Sequence, residues 1–291
     1  MRIISYLKLL IDNPRIFLKK ATLRFFGLFL KFKSPIQDKK INGLSFKFDL
    51  SDPNMRKMYL GGYEIETVKI LKKILKEGDT FIDVGANIGY LSAIAASCVG
   101  KSGQVHSFEP VPNYFSKLKT MADNNKNFNI FVNNFALGDK EKQMEIDCSN
   151  DGNIGWNTMV PNLMKKNIIK ESIVVPVIML DNYINDKIIK KEKISLIKID
   201  AEGFEFPILK GLGSFLKEYH PTILCEIVPA AYSLLGTSVE FLYKYMNQFS
   251  YQSFDLNYRP LDIRELIDLN YKSSDIRKLT QIQITNVLFK V

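Results

Sequence analysis

The feature that most restricts the fold is a regular alternation of short apolar strands and helices after residue 80. The pattern predicts strands at Thr80–Val84, Gln104–Phe108, Asn129–Leu137, Ile194–Ile199 and Thr222–Ile227. Helices are predicted between and after them, at Tyr90–Val99, Tyr114–Asn124, Phe204–Leu212 and Val239–Phe249. Tyr251–Leu256 and Ile284–Lys290 are expected to add an antiparallel hairpin. This order predicts an α/β fold with a doubly wound, mostly parallel sheet of seven strands.

One segment breaks the alternation. Lys140–Lys170 is rich in Asn, Asp and Gly, and it contains Trp156, the single tryptophan of the chain. Because it follows the third predicted strand, we expect it to fold over the edge of the sheet as a lid. After it, Ile173–Leu180 is a β-branched run, and Asp181 is predicted to be the N-cap of the next helix.

The positive charge of the chain is concentrated at its beginning. The formal net charge is +9, and Met1–Lys33 holds eight Lys or Arg residues and a single acid, Asp12. Apolar residues are interleaved with these bases, but no run reaches the ~18 uninterrupted apolar residues that span a bilayer. The segment is therefore interpreted as a basic amphipathic arm, which either lies on an anionic membrane surface or packs on the domain.

Cysteine and histidine content excludes several classes of site. Cys98, Cys148 and Cys225 are an odd, widely spaced set, so a disulfide framework or zinc site is not expected. Reduced cysteines indicate a cytoplasmic protein. With only His106 and His220, a histidine-based metal site or catalytic triad has few candidates.

A glycine-rich turn follows the first strand of the alternation. Asp83 to Gly89 reads D-x-G-x-x-x-G, whereas the dinucleotide fingerprint requires G-x-G-x-x-G. Gly85 and Gly89 allow a sharp turn and a close ligand. A carboxylate ahead of the turn would repel a pyrophosphate and suits the cationic end of an amino-acid ligand. Glu109 ends the next strand, 20 residues past Gly89, where an acid accepts hydrogen bonds from ribose hydroxyls.

Three further carboxylates occur near the ends of later strands. Asp200 and Glu202 follow the strand Ile194–Ile199, and Glu226 is near the end of Thr222–Ile227. Ligands of open α/β sheets bind at the carboxyl ends of the strands, so these side chains are candidates for the reaction centre. As an alternative, Asp200 or Glu202 caps the following helix.

Taken together, these motifs resemble the FkbM family of S-adenosylmethionine (SAM)-dependent methyltransferases, which are Rossmann-like. The resemblance runs from about Gly61 to Pro229 and rests on six motifs in order: Gly62–Glu64, Phe81–Gly89, Phe108–Pro110, Ala136–Asp139, Leu180–Asp181 and Ile197–Glu205. It implies O-methylation of a hydroxyl on a sugar, glycan or natural product. Ala201 departs from the pattern, since a β-branched residue is common there.

The resemblance also implies roles for individual residues. Asp83, Gly85, Ala86, Asn87 and Gly89 would hold the methionine part of SAM, and Glu109 with Pro110 the ribose. Asn134 to Ala136 would border the adenine. Glu64 and Asp200 would reach the amino-acid end of the cofactor or the reaction centre. From the residues themselves, Asp200, Glu202 and Glu226 are the candidate bases, with His220 a weaker fourth. Two nearby carboxylates could also hold Mg²⁺, and the sequence leaves open whether a metal is used.

These observations lead to one arrangement of the chain. Residues 1–40 form the arm, and residues 41–291 the methyltransferase domain, with its core at about 61–229 and the lid-like insert at 140–170. We expect a small-molecule or glycan acceptor, no nucleic-acid partner, and membrane contact, if any, at the inner surface through residues 1–33. Two alternatives remain: an RNA methyltransferase, which the basic charge permits, and a non-catalytic membrane-associated protein with a SAM-type fold.

Overall fold

The computed structural model describes residues 35–149, 156–262 and 285–291. Its strands, in chain order, are β1 Ile36–Ile41, β2 Leu44–Asp49, β3 Thr80–Val84, β4 Gln104–Phe108, β5 Asn129–Asn133, β6 Ala136–Leu137, β7 Lys142–Ser149, β8 Asn157–Thr158, β9 Ile169–Ile178, β10 Ile194–Ile199, β11 Thr222–Ile227, β12 Gln252–Phe254 and β13 Thr285–Lys290. The helices are α1 Pro53–Tyr59, α2 Ile65–Ile74, α3 Tyr90–Val99, α4 Pro112–Asp123, α5 Leu180–Lys187, α6 Glu205–Lys210, α7 Gly213–Tyr219, α8 Pro229–Leu234 and α9 Val239–Asn247.

The central sheet has seven strands in the order β12-β13-β11-β10-β3-β4-β5. From β11 to β5 every neighbouring pair is parallel, while β13 runs antiparallel to both β11 and β12. The predicted α/β class and the mostly parallel seven-stranded sheet are therefore confirmed. Strand order reverses on the two sides of β3, so the carboxyl ends of β3, β4 and β10 open onto a crevice.

Alternating side chains of the central strands supply two cores, one on each face of the sheet. Phe81, Leu196 and Leu224 belong to the cluster that packs against α3, and their sequence neighbours Ile82 and Ile197 belong to the other. Since successive residues of a strand point to opposite faces, strands buried on both sides must be apolar at almost every position. This explains why the strand predictions matched β3, β4, β10 and β11.

The predicted strand Asn129–Leu137 is wrong in one respect, because the structure divides it. Asn129–Asn133 is the edge strand β5 of the central sheet, whereas Ala136–Leu137 is β6 of a second sheet with the order β6-β9-β7-β8. β7 and β9 pair antiparallel over most of their length, so the insert begins and ends in strands of this second sheet. Residues 150–155 lie outside the described part of the chain.

The prediction for Asp181 is corrected. The N-cap of α5 is Met179, and the Asp181 carboxylate accepts hydrogen bonds from the backbone amides of Ser214 and Phe215 in the first turn of α7. The acid thus caps a helix about 33 residues further along the chain. The predicted helix Phe204–Leu212 corresponds to α6, and α7, which was not predicted, follows after the turn around Gly211.

The beginning of the fold also differs from the expected boundary at residue 40. β1 starts at Ile36 and pairs antiparallel with β2 throughout, so the hairpin already includes residues assigned to the arm. Residues 1–34, and with them the predicted amphipathic arm, lie outside the described residues. Within the described ranges, none of the helices has the length and apolarity needed to cross a membrane.

Candidate functional site

A deep cavity lies at the carboxyl ends of the central strands. It encloses about 1300 Å³, including the open solvent at its mouth. Most of the predicted site residues line it: Glu64, Asp83, Gly85, Ala86, Asn87, Glu109, Pro110, Ala136, Asp200, Glu202 and Glu226. Gly89 and Asn134 are not part of its lining.

The two glycines of the loop after β3 make room for protein atoms. Gly85 has a positive φ of +71°, and a Cβ atom there would lie 1.8 Å from the carbonyl oxygen of Asp200. A Cβ on Gly89 would lie 2.7 Å from the side chains of Leu118 and Met121. The sequence had suggested that these glycines admit a ligand. Their geometry indicates instead that they bring the loop against the residue after β10 and let α3 pack on α4.

Glu109 is held at the end of β4 by two backbone amides. Its Oε2 accepts from the amide of Asn87 and its Oε1 from that of Val111, each at 2.9 Å. The side chain of Asn134 donates to the carbonyl oxygens of Glu109 and Pro110, so Asn134 fixes this strand end without lining the cavity. A carboxylate has about four acceptor positions, which leaves Glu109 able to accept from a ligand.

A buried lysine of β10 links the carboxyl ends of β3 and β10. The Lys198 ammonium lies 3.4 Å from Oδ1 of Asp83 and 3.2 Å from Oδ2 of Asp200. Asp83 is 0% exposed and Lys198 5%. The remaining Asp83 oxygen accepts from Ser92 at 2.6 Å. Asp83, which was expected to face the cationic end of an amino-acid ligand, thus already has an internal cation.

Sequence reasoning did not single out Lys198. The signal was available, because a lysine between two isoleucines in a strand buried on both faces must find a partner in the interior. β3 and β10 are parallel neighbours, and Asp83 and Lys198 are directly paired in their register. Side chains at paired positions of a sheet point to the same face, which brings the two charges together.

The three carboxylates predicted to form the reaction centre lie together in the structure. One oxygen each of Asp200, Glu202 and Glu226 lies within 4.8 Å of the others, and all three side chains are partly buried. Neither Asp200 nor Glu202 caps α6. The N-cap of α6 is Phe204, without a side-chain hydrogen bond. Glu205 instead stabilises the loop before the helix, because its Oε1 accepts from the amides of Ala201 and Gly203. We call Asp200, Glu202 and Glu226 the acid trio.

The backbone at Glu202 is held in an unfavourable conformation. Its φ is +48°, in the left-handed region, which costs a residue with a side chain about 1–3 kcal/mol. The Thr158 hydroxyl donates to the carbonyl oxygen of Glu202 at 2.7 Å. Because Thr158 belongs to β8, the insert fixes the loop that carries the acid trio. Trp156 and Asn157, which precede Thr158, line the same cavity.

Burial and mutual repulsion shift the protonation of several groups. Burial, with the charge of Asp200 and Glu205, raises the pKa of Glu202 to about 9, and burial beside the same acids raises the pKa of Glu226 well above its usual range. Burial raises the pKa of Glu109 to about 7, against the lowering effect of its two amide hydrogen bonds. Burial alone would lower the pKa of Lys198, but Asp200 and Asp83 raise it overall.

Glu64 lies at the mouth of the cavity. It precedes α2 in the left-handed conformation, with a φ of +45°, and its Oε2 accepts from the hydroxyl of Thr67 at 2.8 Å. The neighbouring Tyr63 also lines the cavity, and burial together with the charges of Asp200 and Glu64 raises its pKa. The segment before β3 therefore contributes both residues to the cavity lining.

Comparison with known proteins places these features in a family. Residues 83–259 match the sequence profile described as the methyltransferase FkbM domain. A protein-L-isoaspartate O-methyltransferase of Methanococcus aeolicus is 29% identical over 150 residues, which are 50% of this chain and 66% of that protein.

Solved structures with a similar fold share little sequence. The methyltransferase FkbM of Methylobacillus flagellatus aligns with 94% of this chain and 59% of its own, at 14% identity and a TM-score of 0.44. Fibrillarin of Aeropyrum pernix, solved with bound S-adenosyl-L-methionine, aligns over 90% of this chain and 84% of its own, at 12% identity and a TM-score of 0.43. The chain thus spans less than two thirds of the FkbM structure and of the curated relative. Since the profile match covers more than half of the 291 residues, the chain belongs to the FkbM methyltransferase family.

Proposed function

We propose that this protein transfers the methyl group of SAM to a hydroxyl group of a sugar, glycan or natural product. The observation that carries the acceptor class is the charge of the cavity. Among the described residues that line it, six are acidic and one, Lys198, is basic: the acids are Glu64, Asp83, Glu109, Asp200, Glu202 and Glu226. Burial raises the pKa of Glu202 and Glu226, so part of this set is protonated at neutral pH, and the single lysine is already paired with Asp83 and Asp200. The described lining therefore offers no free cation to a phosphate and favours neutral or cationic ligands.

The residues of the cavity suit SAM. Glu109 has acceptor positions for two ribose hydroxyls, and apolar side chains beside it, among them Phe135, Leu137 and Met159, suit a flat base. When bound, SAM supplies a methyl group on a positively charged sulfur. The acidic lining favours that positive charge, and Glu64 at the mouth is within the part of the cavity where an α-amino group would be accommodated.

The acid trio supplies the groups that a hydroxyl acceptor requires. One of these carboxylates would take the hydroxyl proton as the oxygen forms its bond to the methyl carbon, and the carbon–sulfur bond breaks to leave a neutral thioether. General-base assistance of this kind contributes about 10²–10⁴ in rate. Trp156 and Asn157 lie on the same cavity and offer a flat apolar face and an amide, which suit a sugar ring.

The same charge argues against RNA as acceptor. Nucleic-acid binding depends on Lys and Arg contacts to phosphates, and the one cavity lysine among the described residues is already paired with Asp83 and Asp200. Glu109, which is buried but lines the cavity and has acceptor positions left over, also supports a cofactor-binding, active protein over a non-catalytic one.

A methyl-transfer screen tests the proposal. The full-length protein is incubated with SAM labelled in its methyl group and with neutral glycans, lipid-linked sugars, RNA and an isoaspartyl peptide. We expect label in a neutral hydroxyl compound, and at least a hundredfold loss of rate in Asp200→Asn but not in Asp139→Asn, whose carboxylate is a surface ion-pair partner of Lys210. Label in RNA or the peptide, or no SAM binding by calorimetry, would refute the proposal.

A further inference from the structure

We propose that the acid trio, Asp200, Glu202 and Glu226, is a binding site for one divalent metal ion. The trio combines three carboxylate oxygens within 4.8 Å of one another, contributed by the end of β10, the loop after it and the end of β11. Two ligands on opposite sides of Mg²⁺ lie about 4.2 Å apart, and those of Ca²⁺ up to about 5 Å. The 4.8 Å limit of the trio therefore lies within the reach of Ca²⁺, and Mg²⁺ would require the outermost oxygens to approach slightly.

An unpaired oxygen within the cluster points to a missing cation. Oε2 of Glu226 is buried and has no hydrogen-bond partner among the described residues, while the side chain contacts Asp200. A buried carboxylate oxygen without a donor is costly, because it has lost its water and gained nothing in return. A metal ion at the centre of the trio would satisfy this oxygen.

No protein cation in the described ranges can fill this place. The ammonium of Lys198 pairs with Asp200 and Asp83, and no ion pair reaches Glu202 or Glu226. Arg and His are also missing from the described lining of the cavity. Within the described residues, Glu202 and Glu226 therefore have no ion-pair partner.

The loop that presents Glu202 is prepared in the absence of a ligand. Glu205 binds the amides on both sides of Glu202, and Thr158 binds its carbonyl oxygen at 2.7 Å. These contacts hold the strained conformation at Glu202, so the side chain is positioned before any ion binds. The ligands are all oxygen atoms, which selects a hard cation such as Mg²⁺, Mn²⁺ or Ca²⁺, with water completing the coordination.

Binding of Mn²⁺ to the full-length protein, followed by the electron paramagnetic resonance signal of the free ion, tests the site directly. We expect one Mn²⁺ per chain, displaced by excess Mg²⁺ or Ca²⁺. Glu226→Gln and Glu202→Gln should each weaken binding about tenfold or more, since affinity follows the number of charged ligands. Glu64→Gln is the matched control, because it removes a carboxylate from the same cavity outside the trio, and it should leave Mn²⁺ binding unchanged.

Two measurements distinguish the metal site from the proposed methyl transfer. Only a catalytic role of the metal ion rests on the proposed function; its binding does not. Thermal unfolding shows whether each variant is folded, and calorimetry with S-adenosylhomocysteine, the demethylated cofactor, reports the cofactor site. Folded protein that binds the demethylated cofactor but no Mn²⁺ overturns the metal site and leaves the proposed function standing. Equal Mn²⁺ binding by wild type and by both trio variants would also overturn it, because the ion would then be held elsewhere. Mn²⁺ binding at the trio without cofactor binding would refute the proposed function alone.

Discussion

Replacing Lys198 by methionine tests the electrostatic reasoning about the buried end of the cavity. Methionine keeps the length and removes the charge, so Asp83, which is 0% exposed, loses the cation 3.4 Å from its Oδ1 and keeps only the hydroxyl of Ser92. Breaking a buried ion pair from one side costs about 3–5 kcal/mol. We expect the free energy of unfolding at pH 7 to fall by an amount in this range.

The loss has an upper limit, because in the variant Asp83 can take up a proton and so avoid being a buried, unpaired charge. Transferring a proton to a carboxyl group of ordinary pKa 3.8 costs about 4.4 kcal/mol at pH 7 and about 1.6 kcal/mol at pH 5. In the variant, the pKa of folded Asp83 lies above its unfolded value, so the penalty is absent below about pH 3.8 and grows as the pH rises. Burial raises the pKa of Asp83 in the wild type as well, although Lys198 opposes this shift. The difference between wild type and variant should therefore shrink as the pH falls below 7, by at most about 1.4 kcal/mol for each pH unit.

Urea denaturation at pH 7, 6 and 5 measures this difference. Asp83→Asn in the Lys198→Met background should restore part of the stability, because the fully buried carboxylate that lost its cation is then neutral, while Asp200 still lacks its lysine partner. Lys210→Met is the control: its ammonium lies 3.1 Å from Asp139, but the lysine side chain is 42% exposed, and surface pairs contribute about 0–1 kcal/mol. A loss below 1 kcal/mol at pH 7 for Lys198→Met, or a loss of equal size at pH 5, would refute the reasoning.

Three further predictions concern other groups. Because the Glu109 pKa is about 7, the affinity of the wild type for S-adenosylhomocysteine should fall about tenfold per pH unit below 7. Glu109→Gln should bind the same ligand roughly 10- to 150-fold more weakly and with no dependence on pH. A flat pH profile of the wild type would contradict this. Burial lowers the His106 pKa to about 4, so the free energy of unfolding should decline by up to about 3 kcal/mol as the pH falls from 6.5 to 4. Urea denaturation should show a smaller decline in His106→Phe. Thr158→Val removes the hydrogen bond to Glu202, so it should lower the free energy of unfolding by about 1 kcal/mol and should reduce the turnover rate more strongly than it reduces stability. Thr120→Val, on an exposed helix face, is the control and should change neither quantity.

Much of the candidate site could be predicted from local sequence. Asp200 and Glu226 follow or end apolar strands, and the carboxyl ends of parallel strands share one edge of a sheet. That rule alone placed the two acids near Gly85, and Gly85, Asp200 and Glu226 all line the cavity. Glu109 was found in the same way, from its distance to the glycine turn. Residue roles that depend on a neighbouring strand, such as that of Asn134, were not visible.

The insert shows where local reasoning stops. Its position after the third strand predicted a lid over the sheet edge, but its composition did not indicate that β7 and β9 pair antiparallel. Trp156 and Asn157 line the cavity because β8 joins this second sheet beside β7. Edge pairing of this kind depends on which strands meet in space. The composition of the segment carries little information about it.

The sequence by itself determined the strand–helix alternation, the parallel sheet and the edge at which the site lies, because these follow from periodic burial and short turns along the chain. Only the tertiary structure decided that Lys198 pairs with Asp83, that Asp181 caps α7, and that Glu205 supports the loop of the acid trio. Each of these contacts joins a buried polar group to the partner that folding brings nearest. Several of those partners are distant in sequence: 33 residues separate Asp181 from Ser214, and Asp83 meets Lys198 across two neighbouring strands.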